Sequence, residues 1–336
     1  PIKNYYLACI SRGCPYTCTY CSLSYEGKEI ENLGGKRFRE RSVKNVIDEL
    51  LYMKKRYNYD WIDFRNSVFS SSEKWTIEFC ELYKKKIGLP FRIFSHPQLI
   101  TDASTKALKE ANCFAIQIGL ESYDEYVRCE ILNRKYDNEE VHKACEILER
   151  NKACYSLDYI LGLPGQIEDE LERAAEFFCN LKYCYRISPF MIQYLPKLDI
   201  IKHGIRYNMI DEEEVTRIEQ GYHGNYMANG SLTKEQIKSF NAYRILFRTM
   251  GFVPPIIRKL LYKSRIFKVG RYLPANLFLS LLDLYIIMRD IDARSYLKNY
   301  IWWIRKRFNS KHPAYFRYGK LYKNYKDNVY KNKKAA

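Results

Sequence analysis

Between residues 5 and 195, short apolar runs alternate with longer stretches whose apolar positions recur every three or four residues. Residues 42–57 show the second pattern clearly: Val43, Val46, Ile47, Leu50, Leu51 and Met53 fall on one helical face, behind Ser42 as N-cap. Comparable helical spacing occupies 73–87, 103–111, 139–151 and 167–181. Strand-like runs occupy 5–10, 61–64, 91–95, 114–119, 155–161 and 187–194. Strand followed by helix, repeated, predicts parallel strands covered by helices. Six units fall short of the eight of a closed barrel, so the expected fold class is α/β, a partial TIM-like (β/α)6 barrel. In such barrels chemistry gathers where strands end and loops begin.

After residue 204 the strand signals fade, and aromatic-rich helical stretches at 276–288 and 296–308 take over. We therefore expect a barrel over 1–204 and an α-helical C-terminal region over 205–336. That region is also where the charge lies. Residues 241–336 hold 22 Lys and Arg against 4 Asp and no Glu, whereas the formal charge of the whole chain is +17. A basic tail on a neutral body suits an anionic partner, a membrane surface among the candidates; a solvated basic face is the plainer account. No run reaches the roughly 18–20 apolar residues that span a bilayer, since Pro274, Asn276 and Asp283 interrupt 272–288. The Lys-rich end after Tyr318 has little to bury and reads as disordered. Eleven cysteines, an odd number in a long chain, point to a reducing, cytoplasmic setting with a metal or redox site rather than a disulfide scaffold. The chain starts at Pro1 instead of Met, as a segment of something longer would.

The densest chemical signal follows the first strand: Cys14, Cys18 and Cys21 within eight residues. Three thiolates converge on one centre only if the loop wraps it, and thiolates suit zinc or an iron–sulfur cluster. Structural zinc wants a fourth ligand, yet there is no second Cys-x-x-Cys and no close pair among the five histidines. Three ligands without a fourth match a cluster with one open iron.

The run SRGCPYTCTYC, with Tyr20 before the last cysteine, resembles the cluster loop of the radical S-adenosylmethionine superfamily. The resemblance covers roughly residues 3–200. It implies a four-iron four-sulfur cluster on Cys14, Cys18 and Cys21 and S-adenosylmethionine as its co-substrate. By the same resemblance, Gly119, Glu121 and Ser122 after the fourth strand face the nucleoside, and Gly162 and Gly165 form the turn beside the adenine. Gln166 stands where most relatives carry Glu. Arg134 is placed to bind the carboxylate of S-adenosylmethionine, although Lys135 competes for that role. Asn66 and Ser67 occupy the position of two adjacent Asp residues in cobalamin-linked relatives, and they retain hydrogen-bonding capacity toward the cofactor. His96, ending the third strand, is a candidate catalytic group against the commoner reading of a packed histidine. The remaining cysteines read mostly as buried structural thiols.

Taken together these motifs look most like the cobalamin-associated branch, which includes methyltransferases and anaerobic porphyrin-ester cyclases. The expected function is radical modification, by methylation or cyclisation, of an unactivated carbon in a small or lipid-like substrate. An external electron donor such as flavodoxin or ferredoxin is implied, and cobalamin if an upstream domain carries it. Two alternatives stand beside this. One is RNA modification of the methylthiotransferase type, encouraged by the basic tail but lacking a second cysteine trio. The other is a non-catalytic iron–sulfur electron carrier, for which a nucleoside pocket has no use.

Overall fold

The structure is a computed structural model that describes residues 4–221 and 234–272. In chain order the first elements are strands β1 (Tyr5–Ala8) and β2 (Ser11–Gly13), helix α1 (Ser22–Asn32), strand β3 (Phe38–Glu40) and helix α2 (Val43–Arg56). Alternation then sets in: β4 (Trp61–Phe64), α3 (Glu73–Lys86), β5 (Phe91–Ser95), α4 (Asp102–Glu110), β6 (Cys113–Glu121) and α5 (Asn138–Arg150). It continues through β7 (Tyr155–Leu161), α6 (Glu168–Phe178) and β8 (Cys184–Met191). Helices α7 (Ile200–Arg206), α8 (Glu212–Glu219), α9 (Lys234–Met250) and α10 (Pro255–Lys263) follow.

Six strands form one parallel sheet in the order β1-β4-β5-β6-β7-β8. Because the order never reverses, successive crossovers stack their helices on one face, and the sheet curls away from them as an open barrel. The expected six-unit partial barrel is what forms. Apolar side chains at alternate strand positions (Ile62, Phe64, Ile93, Ile116, Ile118, Leu157, Ile187) join Val46, Leu50, Phe79, Leu108, Val141, Leu171 and Ala174 of the helices in the main core. Local capping agrees with the pattern, since Ser42 and Ser72 accept from Asn45 and Trp75 backbone N–H groups at the starts of α2 and α3.

Differences from expectation have local causes. The antiparallel β2–β3 pair is three residues long on each side, too short to show a period. In α1, Gly27 alone is buried, so its sequence carries no apolar stripe. Helix α9 closes the outer side of β8 and α6, with Phe247 edge-on to both Tyr159 and Phe178. The stretches 276–288 and 296–308 and the Lys-rich end lie outside the described residues. Among the described residues no helix is long and apolar enough to cross a membrane.

Arg258 of α10, 3% exposed, donates to four backbone carbonyls: Val253, Phe178, Leu181 and Cys184. It fills the gap between the end of α6 and the start of β8. Replacing it with Met strands several buried acceptors, so we expect a loss of about 3 kcal/mol in the unfolding free energy, read by denaturant titration.

Candidate active site

The cysteine loop connects β2 to α1 and is fastened on three sides. Gly13 enters it at φ 78°, and a Cβ there would meet Arg37 O, just before β3, at 1.9 Å. Inside the loop, Ser24 Oγ donates to Cys18 O (2.7 Å) and Cys21 N to Cys18 O (3.3 Å), which coils the chain between the last two cysteines. From outside, the single π turn Val127–Ile131 and the residues after it grip Thr17 and Thr19. Thr19 N donates to Leu132 O, Thr19 Oγ1 to Ile131 O (2.6 Å), and Asn133 Nδ2 to Thr17 Oγ1 (2.9 Å). Ile200 N, at the start of α7, donates to Thr19 O (3.1 Å). Beneath the loop a separate apolar cluster joins Tyr20, Val127, Leu132, Leu163 and Ile200.

All three cysteines are free thiols; Cys18 is buried and the other two half-buried. Burial pushes the Cys18 and Cys21 thiols up, as desolvation of a thiolate must. Each has an opposing influence. Arg134 Nη1 lies 3.4 Å from Cys18 Sγ, and Cys21 is the N-cap of α1, where the helix dipole favours negative charge.

Arg134 organises the rest. It is 7% exposed and donates to the Tyr136 hydroxyl (3.1 Å), the Tyr20 hydroxyl (3.4 Å) and Gly119 O. Lys135 points elsewhere, to an exposed pair with Glu130 at 3.0 Å. Of the two basic residues, Arg134 is the one inside. Glu121 lies beside it at the end of β6, on a β-bulge and at φ 68°, a strained backbone that swings its carboxylate back over Gly119. A Cβ at Gly119 would come within 2.3 Å of Glu121 Oε1. Burial raises the Glu121 pKa to about 7, partly countered by Arg134 and by the Tyr20 hydroxyl that donates to it.

Cys18, Tyr20, Gly119, Glu121 and Arg134 therefore form one connected group. Other candidates take different positions. Ser122 is fully buried and donates to Glu170 Oε1 (2.7 Å), which also accepts from Tyr123 N and the Tyr159 hydroxyl. Asn66 spends its side chain on the strand entering the loop, accepting from Ile10 N and donating to Ser11 O and Oγ; Ser67 Oγ donates to Gly13 O (2.7 Å). His96 packs between Tyr16 and Tyr136. Gly162 and Gly165 both take positive φ in the turn after β7. Gln166 closes that turn, accepting from Gly162 N (2.7 Å) and donating to Ile160 O (3.0 Å). A carboxylate cannot make the second bond, so Gln166→Glu should lower the melting free energy by about 1 kcal/mol in calorimetry.

Sequence reasoning missed a layer deeper in the barrel. On the concave face of the strands, Arg92 pairs with buried Asp63 at 2.7 and 2.9 Å, and Gln117 Nε2 donates to Asp158 (2.7 Å). Asp158 pairs in register with Gly119, one strand away from the Glu121 group. Its Oδ1 is buried without a hydrogen-bond partner. The signal was available: these are the polar positions that interrupt otherwise apolar parallel strands.

A loop of three free thiols, a buried cation beside one of them and a carboxylate facing both is chemically suited to a polar cofactor next to a metal cluster. The model of the Radical SAM superfamily matches residues 9–178, half of the sequence. The chain belongs to the radical SAM superfamily. This radical SAM chain is 26% identical over 176 residues to an uncharacterized methyltransferase of Pyrococcus horikoshii, a span of 52% of this chain and 37% of that protein. It is 24% identical over 165 residues to the anaerobic magnesium-protoporphyrin IX monomethyl ester cyclase of Rubrivivax gelatinosus, covering 48% of this chain and 28% of the cyclase. Among solved structures, the cobalamin-dependent S-adenosylmethionine radical enzyme OxsB superposes with a TM-score of 0.54 at 13% identity, over 89% of this chain and 50% of that one. The radical methyltransferase TsrM of Kitasatospora setae gives 0.50 at 14% identity, over 59% and 38%. These likenesses place the radical SAM chain in the barrel fold of known enzymes, and the chain spans less than half the length of the curated relatives it matches.

The superfamily's cofactors are a four-iron four-sulfur cluster and S-adenosylmethionine, and the residues present fit both. Among the described residues no three His, Cys, Asp or Glu side chains close on a single metal ion. A cluster, whose irons take one thiolate each, needs a wider set such as the loop supplies. The carboxylate of Glu121 and the guanidinium of Arg134 are complementary to the hydroxyls and the carboxylate of S-adenosylmethionine.

Proposed function

We propose that Cys14, Cys18 and Cys21 hold the cluster, that Arg134 and Tyr20 bind the methionine end of S-adenosylmethionine, and that Glu121 with Asp158 accepts its ribose hydroxyls. Held by these residues and reduced, the cluster would supply the one electron needed for reductive cleavage of S-adenosylmethionine to methionine and a 5′-deoxyadenosyl radical. The protein's own work is to orient that nucleoside over the lumen, exclude water and hold a substrate beneath it. Gly162, Gly165 and the Gln166-closed turn form the adjacent wall, and the half-buried Tyr20 covers the loop side.

We further propose that the substrate is a small polar molecule whose unactivated carbon is methylated or closed into a ring. What supports this is the lumen itself: Asp63, Arg92, Gln117, Asp158 and Ser188 share the concave face with Phe94 and Phe190, so a bound molecule meets charged and hydrogen-bonding groups beside apolar ones. The methyltransferase and cyclase names of the curated relatives agree with either outcome. Cobalamin enters where the intact protein carries a domain to bind it, as the cobalamin-dependent neighbours favour. A deuterated cell extract, separated into polar metabolites, lipids and RNA, tests the substrate class. Deuterium should enter 5′-deoxyadenosine only with the polar fraction; transfer from the lipid or RNA fraction would overturn the reading.

Glu121 also sets a pH dependence. Its carboxylate accepts two hydroxyl bonds best when ionised, and burial pushes its pKa up to about 7. Binding of S-adenosylmethionine should therefore tighten as pH rises through that value. In Arg134→Gln, which removes the cation that holds the pKa down, the midpoint should move upward. Titration calorimetry across pH reads both.

A further inference from the structure

His96 is the polar residue at the barrel mouth whose hydrogen bonding is half spent. It follows β5, at the same strand ends that carry Glu121, and is 2% exposed. One face of its ring stacks on Tyr16 at 4.0 Å and 16°, and Tyr16 lies between Cys14 and Cys18. Tyr136, the residue that anchors Arg134, meets it edge-on at 4.9 Å. Nδ1 accepts the Gln98 backbone N–H at 3.4 Å, at the start of the 3₁₀ turn Pro97–Leu99. That bond fixes the tautomer: with the Nδ1 lone pair engaged, the proton of the neutral ring sits on Nε2. Nε2 is buried and has no hydrogen-bond partner. Burial and the nearby Arg134 cation hold the ring neutral.

A packing role alone explains the ring but not the donor. Phe would stack on Tyr16 equally well, without a buried N–H whose unmade bond costs roughly 1–3 kcal/mol. Buried donors are paired almost everywhere in proteins, so an orphan beside a cofactor site marks a bond completed by the cofactor. The Tyr16 contact puts the ring against the cysteine loop, and the Arg134 cation nearby favours an anionic acceptor. We propose that His96 is a positioning residue of the cofactor site, its Nε2–H donating to an anionic acceptor at the barrel mouth. This rests on the superfamily's cofactors binding at the Cys14–Cys21 loop. Two acceptors share the required chemistry: a sulfur of the cluster and the carboxylate of S-adenosylmethionine.

The test uses the full chain, reconstituted anaerobically, with His96→Phe, which keeps the ring, and His96→Gln, which restores an N–H. Iron content, the reduction potential of the cluster without S-adenosylmethionine, and the affinity for S-adenosylmethionine are measured for each. A bond to a cluster sulfur predicts a potential shifted negative in H96F and returned in H96Q, because donors to the sulfurs stabilise the reduced state. A bond to the carboxylate predicts an unchanged potential and an affinity weakened about tenfold in H96F, recovered in H96Q. If H96F takes up no iron while H96Q loads normally, the donor is needed and the proposal holds. Wild-type potential and affinity in a fully loaded H96F would overturn it, as would failure of both variants to load, which assigns His96 to packing. A wild-type chain that takes up no iron would fail the cluster assignment instead.

Discussion

Cys18→Ser should give a folded protein without an iron–sulfur cluster. The substitution changes one buried atom in a loop held by its backbone: Thr19 N and Oγ1, Ile200 N and Ser24 Oγ all bond main-chain groups or supply side chains of their own. The fold cost is therefore small. The ligand cost is not, because an alkoxide is unavailable at neutral pH and the thiolate is what iron takes. After anaerobic reconstitution, iron and sulfide should fall to background and 5′-deoxyadenosine formation should vanish. Cys80→Ser and Cys184→Ser are the controls. Both thiols are buried in the main core, and burial pushes each up to about 12, so neither is a ligand in waiting. They should lose some stability and keep the cluster.

Gly119→Ala should do the reverse, sparing the cluster and losing the nucleoside. The added methyl would come within 2.3 Å of Glu121 Oε1 and 3.5 Å of Arg134 Nη2. The first of these is the free end of a side chain, so the barrel can yield by moving the carboxylate aside. Moving it removes the acceptor proposed for the ribose hydroxyls. Hydrogen bonds to a charged group contribute about 1.5–3 kcal/mol, so affinity for S-adenosylmethionine should fall roughly tenfold to a hundredfold. Iron content and thermal stability should stay near wild type. Equilibrium binding alongside iron analysis separates the two effects.

The barrel was readable because its parallel strands are buried on the helix side, so runs such as Ile116–Ile118 and Tyr155–Leu161 stand out against amphipathic helices. The cysteine trio stands out in the sequence because three soft ligands in eight residues have few other uses. Less was legible where one face of a short motif had to be chosen. In Gly119-Leu-Glu-Ser, spacing does not say which polar side chain lies beside Arg134; the bulge and the positive φ of Glu121 turn it toward Gly119, and Ser122 goes to Glu170. Arg134 and Lys135 are equivalent on paper, and the π turn that precedes them decides. Asn66 and Ser67, read as cofactor contacts, hold the strand that delivers the cysteine loop. The lumen charges escaped notice because Asp63, Arg92, Gln117 and Asp158 sit singly in four different strands and converge only in space.

On the proposed assignment, this chain loads a cluster on Cys14, Cys18 and Cys21 and uses it to cleave S-adenosylmethionine beside Glu121 and Arg134. Anaerobic reconstitution with iron and sulfide, reduction, addition of S-adenosylmethionine and quantification of 5′-deoxyadenosine test it in one experiment. The expected product is 5′-deoxyadenosine that depends on the reductant and disappears in Cys18→Ser. A fully loaded, reduced cluster that leaves S-adenosylmethionine intact would contradict it.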